Sequence, residues 1–175
     1  GLSPFESGSL TFVSAIGALT MKLTAAPILR RYGFRTVLTV NAVVSSALLA
    51  ASALFTSATP HAVIVTVLLT AGFFRSLQFT SLNALGYSDI ESPQMSRATS
   101  FVAVVQQLSL SSGVAVAAML LEASRAAEGR TALVTDDFHR AFMAIGLIAV
   151  TSGLMFLRLA PDAGAEVSGH RARRG

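Results

Sequence analysis

The sequence predicts an all-α integral membrane protein with five transmembrane helices, and three observations carry that prediction. The 175 residues are 53% hydrophobic and 13% charged, with a mean hydropathy of +0.64, whereas a soluble domain is about a quarter charged. The charges are clustered: residues 36–74, 98–121 and 141–157 contain none. Apolar stretches near twenty residues match the roughly 30 Å of bilayer hydrocarbon at about 1.5 Å per helical residue. A soluble helical bundle would need an amphipathic outer layer, and five such stretches leave none. Barrel strands would be about ten residues long with alternating polarity, and nothing here alternates.

The spans fall at about residues 8–29, 37–55, 63–85, 98–121 and 141–159, and each gap carries its own punctuation. The first span ends at "RRYGFR", where Gly33 between arginines is a turn. "TSATPH" with Pro60 follows the second span, and "SDIESPQMSR" with Pro93 follows the third. "EASRAAEGRTALVTDDFHR" separates the fourth from the fifth. Residues 161–175, ending in "GHRARRG", read as a basic, disordered cytoplasmic tail.

Lys and Arg set the orientation, because cytoplasmic loops carry their excess. With five spans the two ends lie on opposite sides. One side receives eight arginines (Arg30, Arg31, Arg35, Arg97, Arg158, Arg171, Arg173, Arg174) and the other three (Arg125, Arg130, Arg140). The eight-arginine side is expected in the cytoplasm, with Gly1 outside. A reporter fused after His61 or within residues 125–137 should therefore behave as external, and one after Pro93 as cytoplasmic. The reverse pattern would overturn the orientation. The isoelectric point near 10.7 then reflects basic helix ends, and no nucleic-acid partner is expected.

The chain starts at Gly1 with no basic secretory leader, so it reads as the carboxyl part of a longer polytopic protein. It has no cysteine, which removes disulfides, thiolate metal sites and cysteine nucleophiles. His61, His139 and His170 share no helical spacing, and no glycine-rich phosphate loop is present. No metal, cofactor or enzymatic activity is expected.

Several segments resemble a known family. "GLSPFESG", a helix, then "ILRRYGFRTVL" and two helices joined by a short loop are similar to the carboxyl half of major facilitator superfamily transporters. The nearest group is the fourteen-helix drug:proton antiporters of the EmrB/QacA type. "LQFTSLNALGYSDIESPQMSRATSFVAVVQQL" resembles that group's twelfth and thirteenth helices. Arg31, Gly33 and Arg35 fall on its cytoplasmic loop motif, Asn83 on a recurrent Asn and Gln107 on a recurrent Gln. Two positions depart from the pattern: Arg30 occupies the motif's acidic position, and Gln106 stands where Arg often does.

The resemblance implies helices ten to fourteen, most of the carboxyl-terminal half of the fold, in a bacterial cytoplasmic membrane. It implies secondary transport by alternating access about a midplane site, with proton entry driving export of drugs or other amphipathic small molecules. The partners implied are the bilayer, a substrate, the proton and the amino-terminal half of the same transporter, where the acidic proton carriers belong. Two alternatives stand beside this reading: a superfamily transporter of an anionic metabolite, and a non-transporting sensor or assembly protein with the same fold.

Candidate site residues follow from polar groups in apolar spans. Arg75 sits mid-span, where a central Arg costs about 2.5–3.5 kcal/mol on insertion scales, and no span contains Asp or Glu. It is expected to face the transport path, compensated by amides, by cavity water, by a carboxylate of the other half or by an anion; a buried tie between helices is the rival. Gln78, three residues on, shares its face, and Asn83 lies toward the edge. Gln106 and Gln107 point about 100° apart, so at least one should face protein or a wet cavity. Lys22 either lines the cavity or carries its ammonium on its stem toward the interface. Arg31 and Arg35, with Gly33, form a gating loop or simply mark topology. Ser109, Gly113 and Ala117 put small residues on one helix face for close packing, with a substrate groove as the alternative, while Phe73, Phe74 and Phe79 read as lipid or core contacts, or one of them as a contact for a hydrophobic drug.

Overall fold

The structure is a computed structural model that describes residues 4–56 and 58–170; Arg171, Arg173 and Arg174 of the tail lie outside the described residues. Its helices are α1 (Pro4–Ala53), α2 (His61–Gly86), α3 (Met95–Ala127), α4 (Thr135–Phe156) and the short α5 (Ala165–Ser168). Among the described residues there is no strand. Four of the helices are long and apolar enough to cross a membrane. Together with the charge-free runs this makes the chain an all-α integral membrane protein.

α1 is two arms. At Gly33 the backbone takes φ 73° and ψ 163°, a region open essentially to glycine alone. If α1 were straight, Ser14 and Ser52 would stand ~57 Å apart; instead both line one cavity, so the arms fold back on each other. The buried core sits where the arms meet α2. Met21, Ala25 and Leu29 come from the first arm, Phe34, Val37 and Leu38 from the second, and Leu77 from α2.

Two glycines set the closeness of that packing. A Cβ built on Gly17 would overlap the Leu69 carbonyl oxygen, and one on Gly72 would overlap the Ser14 carbonyl oxygen. The first arm and α2 therefore cross backbone to backbone, which only residues without side chains permit. α4 lies against the second arm through another small-residue seam, where a Cβ on Gly153 would sit 3.3 Å from Ala42 Cβ.

α3 packs differently. It has no buried residue, and a polar clip in residues 122–140, between the charge-free runs, ties it to α4. Asp137, fully buried, accepts two hydrogen bonds from the Arg130 guanidinium at 2.8 and 2.9 Å. It also accepts one from Ser124 at 2.6 Å and one from the Val134 N–H at 2.9 Å. Arg130 and Arg140 both pair with Glu128, and Arg125 donates to the carbonyls of Arg130 and Thr131.

The Arg130 guanidinium, then the Ser124 hydroxyl and the Val134 N–H, hold the Asp137 carboxyl well below the usual carboxylate range. A folded-state value below the unfolded one means the contribution is complete above the ordinary carboxylate range and is lost as pH falls through and below it. The clip should therefore stay closed from neutral pH down to about pH 4. Asp137→Asn should speed amide exchange across residues 128–137 about tenfold at neutral pH; exchange mass spectrometry that finds no change would contradict the clip's role.

Ser109, Gly113 and Ala117, where close packing is expected, meet no second helix among the described residues. A Cβ on Gly113 meets nothing within 4 Å, and Ser109 bonds its own helix at the Val105 carbonyl. Small residues there find no facing helix, whereas Gly17 and Gly72 do. The tail expected to be disordered from residue 161 is ordered as far as His170. Gly164 and Gly169 turn the chain with φ of 66° and 67°, Gly164 packs on Phe34 and Leu85, and the His170 ring lies over Gly33 with Nδ1 3.0 Å from the Arg30 carbonyl oxygen.

Candidate functional site

Arg75 stands near the middle of α2, roughly 20 Å of helix from its start and 16 Å from its end. It borders two cavities. One, of about 400 Å³, lies between both arms of α1, α2 and α4, with Ser14, Ser45, Ser52 and Phe142 in its wall. The other, of about 700 Å³, lies between the first arm, α2 and α3, with Ala18, Phe79 and Leu110. Ser14, Gly72 and Arg75 belong to both walls, and Arg75 itself is exposed. Neither wall contains Asp or Glu. Among the described residues Arg75 makes no ion pair.

The neighbouring amide does not compensate it. Gln78 turns to the second arm, where its Oε1 accepts a hydrogen bond from Asn41 Nδ2 at 2.8 Å. Asn41, only 1% exposed, also donates to the Phe74 carbonyl at 2.7 Å. It is the polar residue that sequence reasoning passed over; the signal was a lone amide in an otherwise apolar span. Among the described residues, the Asn41 Oδ1 and the hydroxyls of Thr39, Ser45 and Ser81 are buried without a hydrogen-bond partner. Buried polar groups are ordinarily paired, so the seam between the second arm and α2 is an unusually polar one.

A second amide pair ties α2 to α3. Gln106 Nε2 donates to Asn83 Oδ1 at 2.6 Å, and Asn83 Nδ2 donates to the Phe79 carbonyl at 2.8 Å. Both side chains line a cavity of about 440 Å³. Of the two adjacent glutamines, Gln106 faces protein and Gln107 is exposed. Phe73 and Phe74 stack edge to face at 5.5 Å. Lys22 is exposed on the first arm and borders neither Arg75 cavity. At the turn, the Arg31 guanidinium lies 5.5 Å from the Tyr32 ring centre, and Arg35 is half-buried. The structure thus brings Arg75 and the serines to one cavity, Gln78 to Asn41, and Asn83 to Gln106, and it leaves Gln107 and Lys22 apart from all three.

A hairpin of two arms, a third helix crossing it through glycines, and amides and an Arg at mid-depth define a polytopic membrane protein with polar groups set in its apolar helices. The chain is 30% identical over 170 residues, 94% of its length, to the protein named "Putative multidrug resistance protein MdtD" of Yersinia pestis (strain Pestoides F). The same identity and coverage hold for the protein of that name in Yersinia pseudotuberculosis serotype O:1b (strain IP 31758). The chain spans 36% of the length of these relatives. No family model matches it, and no solved structure matches it. The chain is homologous to these MdtD proteins along nearly all of its length.

Proposed function

We infer that this chain is part of a secondary active transporter, not an enzyme, that exports drugs or other amphipathic small molecules by alternating access with proton coupling. The observation that carries this reading is the 30% identity over 94% of the chain to proteins named for multidrug resistance. Arg75 bordering two cavities, and the amides Gln78, Asn83 and Gln106 set in apolar helices, support a substrate and proton path through this bundle. In this reading Gln107 and Lys22, exposed here, meet that path through the remainder of the transporter. The turn at Arg31, Gly33 and Arg35 lies at the cytoplasmic end of the hairpin, with the amino end of the chain outside and the tail inside. There the glycine backbone serves as the hinge at which the arms change angle.

The reading is tested in cells. Expression of the full-length protein should lower steady-state accumulation of a fluorescent amphipath by several-fold, and a protonophore should abolish the difference. Equal accumulation with and without the protein would contradict it.

A further inference from the structure

Residues 161–170 fold back on the turn of α1. The break at Gly33 closes the first arm, and a helix end leaves its last carbonyls without partners inside the helix. One of them, the Arg30 carbonyl, finds its partner 140 residues away, in His170, whose Nδ1 lies 3.0 Å from the oxygen. A carbonyl oxygen can only accept, so the proton of this bond sits on Nδ1. Histidine is among the side chains that satisfy the last carbonyls of helices, and here it does so from a distant part of the chain. The ring also covers the turn itself. A Cβ on Gly33 would stand 2.7 Å from His170 Cδ2, and Gly33 is buried.

Further contacts hold the ring there. The Ser168 hydroxyl accepts the His170 N–H at 3.2 Å and donates to the Gly164 carbonyl at 3.1 Å. Gly164 and Gly169, both at positive φ, bend the chain on either side of α5. Gly164 rests on the Phe34 ring and Leu85, and Phe34 is fully buried. The segment thus grips the turn on both sides of Gly33, at Arg30 before it and at Phe34 after it. We propose that residues 161–170 are a strap across the Gly33 turn, pinned by His170, and that the closed strap sets the angle between the two arms. Withdrawing the ring leaves the Arg30 carbonyl without this donor and uncovers Gly33, whose backbone is then free to swing. The proposal rests on the reading of Gly33 as a hinge and makes the segment after α4 the element that restrains it.

The test uses the full-length protein in nanodiscs, with two readouts. Exchange mass spectrometry follows the amides of residues 28–36. Spin labels on Leu23→Cys and Val43→Cys, exposed on the first and second arms, report the angle between the arms in a background free of other cysteines. His170→Ala should speed exchange at the turn about tenfold, the scale of one lost hydrogen bond, and broaden the label distance distribution. His170→Gln, whose amide can still donate to the Arg30 carbonyl, should keep part of the restraint. Gly164→Val lifts the other grip, because its Cβ overlaps the Phe34 ring at a positive φ that Val rarely adopts. It should loosen the turn as His170→Ala does, and the double variant should add little, since both changes release one device. Faster exchange confined to residues 161–170 would overturn the strap. Faster exchange at the turn with an unchanged label distance would overturn it too, because the ring would then cap a turn that does not move. Neither readout needs transport. A wild type that moves no substrate, with arms that loosen in His170→Ala, would sink the transport reading and leave the strap standing.

Discussion

Replacing Gly72 with Leu in the full-length protein should reduce the yield of folded, monodisperse protein by more than tenfold. A Cβ at that position already overlaps the Ser14 carbonyl oxygen, and backbone cannot be trimmed or rotated away as a side chain can. The first arm and α2 would have to part along the crossing, loosening the contacts of Met21 and Leu77 in the buried core. Overpacking of a well-filled site costs about 1–3 kcal/mol, occasionally more, and a clash with backbone belongs at the upper end. Gly17→Leu, whose Cβ overlaps the Leu69 carbonyl from the other side of the crossing, should behave alike. Gly86→Ala, with nothing within 4 Å of the new methyl, should be tolerated. Fluorescence-detected size-exclusion of detergent extracts reads all three, and wild-type yields for Gly72→Leu would contradict the close crossing.

Arg75→Leu should act on transport and spare folding. The change favours the bilayer, and Arg75 holds no ion pair among the described residues that its loss would break. Transport per folded molecule should nevertheless fall by at least about tenfold, or shift in substrate preference, because the helices lose the cation at mid-depth. Arg75→Lys should retain part of the activity. If Arg75 were only a tie between helices, Leu would lower the folded yield while each surviving molecule transported normally. The ratio of activity to folded protein separates the two outcomes.

Most of the helical architecture was legible because burial in lipid writes itself as charge-free runs, and "RRYGFR" marks a turn that the Gly33 dihedrals make explicit. The residues that set packing were harder to read. Spacing favoured Ser109, Gly113 and Ala117, since it compares positions on one helix. The close approach uses Gly17 and Gly72 on different helices, a pairing that no single-helix period encodes. Asn41 escaped notice because a neutral amide barely perturbs hydropathy, although it reaches across to Gln78 and the Phe74 carbonyl. Asp137 looked like one more loop charge, and only its approach to Arg130, Ser124 and Val134 makes it the centre of a clip. The ordered tail depends on Phe34 and Leu85 meeting Gly164, a contact with no local signature. Arg75 was the exception: a single cation in an apolar run is conspicuous in sequence, and the structure places it between two cavities.

The central claim, that this bundle belongs to a proton-coupled exporter, is tested most directly by reconstitution. The full-length protein in proteoliposomes, given an imposed pH gradient, should move a fluorescent amphipath against its concentration. The movement should reverse direction with the gradient and fall by about tenfold or more in Arg75→Leu at equal folded protein. Flux that ignores the gradient, or that is unchanged per folded molecule in Arg75→Leu, would contradict the account.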